Sequence, residues 1–143
     1  RADSLGIKDA GEPFRELVDK ILGFFRKYEN SDGLLEKFPY WNFVEWTRAN
    51  DWVQDVNYPT NMLYSAVLDT VAELYDRPEL CEKSAKIRRE VLRQSFDGKY
   101  FRDHAKGREN GTLEVLSDRS AICQHEAVLV GVADLEKPKF AVL

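Results

Sequence analysis

The fold is indicated most clearly by the segment Asn61-Met-Leu-Tyr-Ser-Ala-Val-Leu-Asp-Thr-Val-Ala-Glu-Leu-Tyr75. When this segment is wound as a helix, it is apolar on nearly every side, and such a helix is normally buried on most of its surface. Thr60 is a suitable N-cap for it. The break Asp76-Arg77-Pro78 follows at once, and proline suits the first turn of a new helix. We therefore predict an inner helix over residues 61–75.

Three other segments have helical periodicity. Residues 12–28 are amphipathic, with apolar side chains at i, i+3, i+4 and i+7. Residues 78–96 carry one apolar stripe opposite a charged face, and residues 118–134, capped by Ser117 or Asp118, are again apolar nearly all round. Amphipathic and buried helices thus alternate, as a two-layer helical toroid requires. We predict an all-α chain with almost no sheet, in which residues 103–116 form a polar loop.

The inner helices of such a toroid run parallel, so their N-termini meet at one end. The segment 34–59 lacks helical periodicity, is rich in aromatic residues, and enters the inner helix 61–75 at that end. Gln124 and His125 lie early in the other inner helix. We therefore expect a pocket at this end of the barrel.

Composition limits the classes of partner. The chain has 143 residues and a net charge of −4, with 43% hydrophobic residues, which argues against disorder. It contains no basic block, so we expect no nucleic-acid partner. It also lacks an apolar run of the roughly 20 residues that a membrane helix needs, so we expect no membrane insertion. Both a cytoplasmic and a periplasmic location are compatible with this sequence.

We expect no metal site and no cofactor. Cys81 and Cys123 cannot build a disulfide framework or a zinc site by themselves, and we interpret both as reduced core thiols. His104 is interpreted as a surface residue of the polar loop. His125 has two interpretations, a satisfied core histidine or a contact to substrate hydroxyls. The chain contains no glycine-rich phosphate loop and no nucleophile elbow.

The stretch Trp41-Asn-Phe-Val-Glu45-Trp46 combines indole faces with a carboxylate. Sugars present flat C–H faces that stack on tryptophan and hydroxyls that donate to carboxylates. If residues 41–46 are extended, Trp41 and Glu45 share one face and Trp46 points the other way. Trp41 would then be the sugar platform and Trp46 the anchor of the loop. In the alternative interpretation, the tryptophans pack the loop onto the barrel and the acids are solvated.

The order of these segments resembles the catalytic domain of bacterial α-L-rhamnosidases, glycoside hydrolase family 78. The specific parts are Trp41 to Trp46 and the Gln-His pair within Cys123-Gln-His-Glu-Ala127. Asp32-Gly-Leu-Leu and Leu63-Tyr-Ser-Ala-Val-Leu also carry the resemblance. The resemblance implies an (α/α)6 six-hairpin barrel with alternating outer and inner helices. It also implies an inverting hydrolase with two carboxylates, one acting as acid and one as base through water.

In this interpretation residues 1–143 are a single partial domain from the middle of the barrel. The general acid would lie in a segment before this one and the base in a segment after it, so no catalytic residue is expected here. The segment would contact the carbohydrate substrate through Trp41, Glu45, Trp46 and His125. We expect the chain alone to self-associate through exposed barrel flanks. The alternative is a non-catalytic helical module that binds a carbohydrate or a protein.

Overall fold

The computed structural model describes residues 10–39, 42 and 55–134. This part of the chain is mostly helical and contains helices α1 (Arg15–Arg26), α2 (Tyr58–Tyr75), α3 (Pro78–Ser95) and α4 (Ala121–Leu129). A 3₁₀ turn, Glu12–Phe14, precedes α1. The same residues also form an antiparallel sheet in the order β1 (Val56–Asn57), β2 (His104–Gly107) and β3 (Leu113–Val115).

Helices α2 and α3 form an antiparallel hairpin, which is the most extensive contact between elements of the described chain. Asp76 ends α2 in the left-handed conformation, with φ of 52°, and Pro78 begins α3 after a two-residue connection. Small side chains let the helices approach closely, and the Ser84 hydroxyl donates to the Ser65 carbonyl over 2.9 Å. The predicted pair of consecutive helices is therefore confirmed.

The degree of burial separates α2 from α3. Ten of the eighteen residues of α2 are buried, whereas α3 buries five on a single stripe. This agrees with an inner α2 and an outer α3. The buried stripe of α3 follows the order Leu80, Ser84, Ile87, Val91 and Ser95. Cys81 lies one residue off that stripe and is exposed, so its interpretation as a core thiol was wrong, while Cys123 is buried.

The fourth helix is shorter and less enclosed than predicted. It spans Ala121–Leu129 instead of 118–134, because Gly131 turns the chain with φ of +74°. Among its residues Cys123, Glu126 and Ala127 are buried, but Leu129 is 78% exposed. The described part of the chain therefore covers only one face of α4.

The prediction of an all-α chain with almost no sheet was wrong in one region. Residues predicted as polar loop form a hairpin in which Ala105 pairs with Val115 and Gly107 with Leu113. The turn contains Asn110-Gly111, with Gly111 at φ of +79°, a combination that favours hairpins. Strand β2 has four residues and β3 has three. Such strands are too short for an alternation of apolar and polar residues to be recognised in the sequence.

The caps also differ from those predicted. Asn57, and not Thr60, caps α2, because its side-chain oxygen accepts from the Thr60 amide over 2.9 Å. Ser120 caps α4 in the same way, accepting from the Cys123 amide over 3.2 Å. The predicted residues Ser117 and Asp118 precede that cap. Both helix starts are thus fixed by side chains, and both meet the site described next.

Candidate functional site

Asp103 joins the N-terminal ends of α2 and α4. Its backbone carbonyl accepts from the Tyr58 amide over 2.9 Å. Its carboxylate oxygen Oδ1 accepts from the amide and the hydroxyl of Ser120, each over 2.9 Å. Asp103 is 2% exposed, so these bonds lie within the protein. The two helices therefore begin at the same end of the molecule, as predicted for the inner helices.

The aromatic segment reaches this end through Asn42. The Asn42 side-chain amide donates to the Thr60 hydroxyl over 2.6 Å, in the first turn of α2. Of the residues predicted to contact sugar in this segment, Trp41, Glu45 and Trp46 lie outside the described residues. Their predicted roles therefore stay predictions.

His125 lies in the second turn of α4 and is exposed. This position contradicts its interpretation as a core histidine, and its alternative role as a hydroxyl contact stays a prediction. The neighbouring Gln124 serves the fold. Its side-chain oxygen accepts from the Phe101 amide over 2.8 Å, and its nitrogen donates to the Phe101 carbonyl over 2.9 Å. Gln124 thereby fixes the chain before β2 to α4.

His104 is buried, so its interpretation as a surface residue was wrong. It is 2% exposed in β2, where it pairs in register with Asn57. Its Nε2 lies 3.7 Å from the Asp118 carboxylate. Burial lowers the pKa of His104, and the nearby carboxylates of Asp118 and Asp103 oppose that shift. The imidazole is therefore predominantly neutral at pH 7.

Glu126 is a buried carboxyl group that the sequence analysis missed. It is 9% exposed, and its Oε2 has no hydrogen-bond partner among the residues that the structure describes. It shares a buried face with Cys123 and Ala127, which lie three residues before it and one after. Burial raises its pKa, against the opposing effect of His125. We predicted a helix that is apolar nearly all round and did not consider where its Glu126 side chain would be buried.

A polar cleft of about 400 Å³ lies at the same end of the molecule. We call it the rim cleft and define it by Asn30, Asp32, Glu36, Arg93, Gln94 and the hairpin residues Gly111, Thr112, Leu113 and Val115. The Tyr58 hydroxyl, from the first residue of α2, donates to the Gln94 side-chain oxygen over 3.2 Å. The sequence analysis missed this cleft because its walls come from three segments far apart in the chain.

The described residues include neither a metal-binding group nor a helix that could span a membrane. Residues 10–39, 42 and 55–134 contain no group of three or more His, Cys, Asp or Glu side chains placed to hold a metal ion. Across the same residues, each helix is too short or too polar to cross a bilayer.

Comparison of the chain with protein-family models, with curated proteins and with solved structures gives no match. The resemblance to α-L-rhamnosidases therefore stays a prediction from the sequence.

Proposed function

We propose that this chain is the central part of a glycoside hydrolase barrel that resembles α-L-rhamnosidases and cleaves terminal α-L-rhamnosyl or similar sugars. In this proposal the segment supplies substrate contacts. The observation that carries the proposal is the meeting of the N-terminal ends of α2 and α4 at Asp103, beside Asn42 of the aromatic segment. A barrel with parallel inner helices presents its pocket at such an end.

The burial of the helices supports the same proposal. Helix α2 is buried on most sides and α3 on one stripe, as expected for an inner and an outer helix of a barrel hairpin. The exposed apolar residues of α4 support a further barrel helix beside it, because an inner helix contacts neighbours on both flanks. The short sheet lies at the end where α2 and α4 begin. It does not interrupt the alternation of inner and outer helices.

Each predicted contact has a chemical role in the proposal. Trp41 stacks on the C–H face of the sugar, and Glu45 accepts hydrogen bonds from its hydroxyls. His125 contacts a hydroxyl from the exposed second turn of α4. Trp46 anchors the aromatic segment to the barrel.

The bond cleavage itself is assigned to residues outside this chain. An inverting glycosidase holds its acid and its base roughly 6.5–9.5 Å apart so that a water molecule fits between base and sugar. General acid–base catalysis contributes roughly 10²–10⁴-fold. We therefore expect the 143-residue chain alone to release no rhamnose from an aryl α-L-rhamnoside above the buffer blank.

The proposal is tested by two substitutions in the intact enzyme that carries this segment. Glu45→Ala should lower kcat/KM with little loss of stability, because a carboxylate in an open pocket stabilises no core. Trp46→Ala should instead destabilise the protein, by about 3–5 kcal/mol if the indole is well buried. Aryl rhamnoside kinetics and thermal unfolding measure the two effects. A fully active Glu45→Ala together with a stable Trp46→Ala would show that the segment faces away from the substrate.

A further inference from the structure

The floor of the rim cleft is a connected set of polar side chains. Gln94 accepts from the Tyr58 hydroxyl over 3.2 Å and donates from Nε2 to the Asp32 carboxylate over 2.8 Å. Arg93 pairs with Glu90 over 2.6 Å and lies 3.7 Å from Asp32. The Tyr58 end of this network is fully buried. The side chains of the floor are therefore held by hydrogen bonds within the protein, without a ligand.

The turn after α1 holds the carboxylates on one wall. The Asn30 side-chain oxygen accepts from the amides of Asp32 and Leu34, each over 3.0 Å. Its Nδ2 donates to Glu36 over 2.9 Å. Gly33 allows the turn through its φ of +86°. Asp32 and Glu36 therefore present carboxylate oxygens from a backbone that is already fixed, which lowers the entropy cost of binding.

The opposite wall combines an apolar surface with a cation. Val115 is 38% exposed and Leu113 is half-buried, and both line the cleft from the hairpin. The Arg93 side chain is 62% exposed and lines the same cleft. The cleft thus offers carboxylate acceptors, guanidinium donors and an aliphatic patch within one space of about 400 Å³.

The charges in the cleft disfavour an anionic ligand. Arg93 is already balanced by Glu90 and Asp32, and Glu36 lies 3.3 Å from Lys37. The cleft therefore has no surplus positive charge for an anion. Acceptors and donors side by side match vicinal hydroxyls, which both donate and accept. The aliphatic patch matches the C–H face of a pyranose ring.

We propose that the rim cleft is a binding site for a neutral sugar, in addition to the contact proposed for His125. It goes beyond the proposed hydrolase function, because His125, the only one of the proposed sugar contacts among the described residues, does not line it. Placed beside the start of α2, it would hold a second sugar unit of a glycan at the edge of the barrel. Hydrogen bonds to charged groups then supply most of the affinity.

Saturation-transfer difference NMR on the 143-residue chain tests this proposal, because the method also works if the chain self-associates. The probes are L-rhamnose and D-mannose as neutral sugars and D-glucuronate as an anion, while calcium chloride is titrated separately as a cation by isothermal titration calorimetry. We expect saturable transfer to the neutral sugars, with a dissociation constant on the order of 1 mM. Arg93→Ala and Glu36→Gln should each raise that constant about tenfold or more.

Glu16→Gln is the matched control, because Glu16 pairs with Lys20 on the exposed face of α1, away from the cleft. It should leave sugar binding unchanged, and circular dichroism should show all variants folded. Absence of saturable transfer, or equal binding by Arg93→Ala, would overturn the proposal. So would calcium binding that Glu36→Gln abolishes without any sugar binding. A sugar signal lost in His125→Ala but kept in Arg93→Ala would overturn it too, while supporting the proposed hydrolase site.

Discussion

Single buried polar residues hold the irregular segments of this protein to its helices. Asn61 is fully buried in α2, and its side-chain oxygen accepts from the Leu35 amide over 2.7 Å. Its nitrogen donates to the carbonyls of Leu35 and Asn57, over 3.2 and 2.9 Å. One amide side chain therefore satisfies three backbone groups that water cannot reach.

Asn61→Ala should destabilise the protein, because it leaves the backbone groups of Leu35 without partners inside the protein. An unsatisfied buried polar group costs about 1–3 kcal/mol, so we expect a loss of at least that size. Urea unfolding followed by circular dichroism measures it. Asn110→Ala in the exposed hairpin turn is the control and should cost clearly less. Equal losses in the two variants would contradict the role given to Asn61.

Glu126 should make stability depend on pH. Burial raises its pKa in the folded protein, so between the unfolded value near 4.5 and the raised folded value the native state binds more protons. Stability from this group is therefore lost as pH rises through that window. Glu126→Gln should leave stability nearly unchanged at pH 4 and raise it at pH 7, because the neutral amide carries no charge that burial penalises. Urea unfolding at the two pH values tests this, and a less stable variant at pH 7 would contradict it.

The burial of His104 and Glu126 could not be predicted from the sequence. His104 is buried because β2 pairs with β1, which lies more than 40 residues earlier in the chain. Glu126 occupies a position whose periodicity predicts an apolar residue. In contrast, the meeting of the helix N-termini near His125 was predicted from the parallel arrangement of inner helices alone. Local patterns thus predicted the end at which α2 and α4 begin, whereas long-range pairing decides which side chains are buried there.

At the scale of elements, the long periodic helices were predictable and the short strands were not. Helices α2 and α3 span eighteen residues each, enough turns for their apolar patterns to be read. The hairpin of β2 and β3 and the cap at Asn57 depend on a few residues and on partners elsewhere in the chain. The rim cleft was missed for the same reason, since α3, the turn after α1 and the hairpin all contribute to it.

The exposed apolar flanks of α2 and α4 should cause self-association. Val67 on α2 is 49% exposed and Leu129 on α4 is 78% exposed, and both would be covered by neighbouring helices in a closed barrel. Sedimentation velocity of the purified chain should therefore show species larger than 16.6 kDa. The double variant Val67→Glu with Leu129→Glu should shift the distribution toward monomer. A wild-type chain that stays monomeric at high micromolar concentration would contradict this prediction.

At the scale of the whole molecule, three features meet where α2 and α4 begin: the joint at Asp103, the exposed His125, and the rim cleft beside Tyr58. The aromatic segment approaches the same end through Asn42. We therefore expect this end of the molecule to bind sugar.

Tryptophan fluorescence is the sharpest test of sugar binding, because all three tryptophans of the chain, at positions 41, 46 and 52, lie in the aromatic segment. Titration with L-rhamnose should change the emission saturably, and His125→Ala should weaken the response. Sorbitol, an acyclic polyol without a ring face, is the control and should give no saturable change. If L-rhamnose leaves the emission of the folded chain unchanged, or acts only as sorbitol does, the aromatic segment does not contact sugar and the proposed sugar site is wrong.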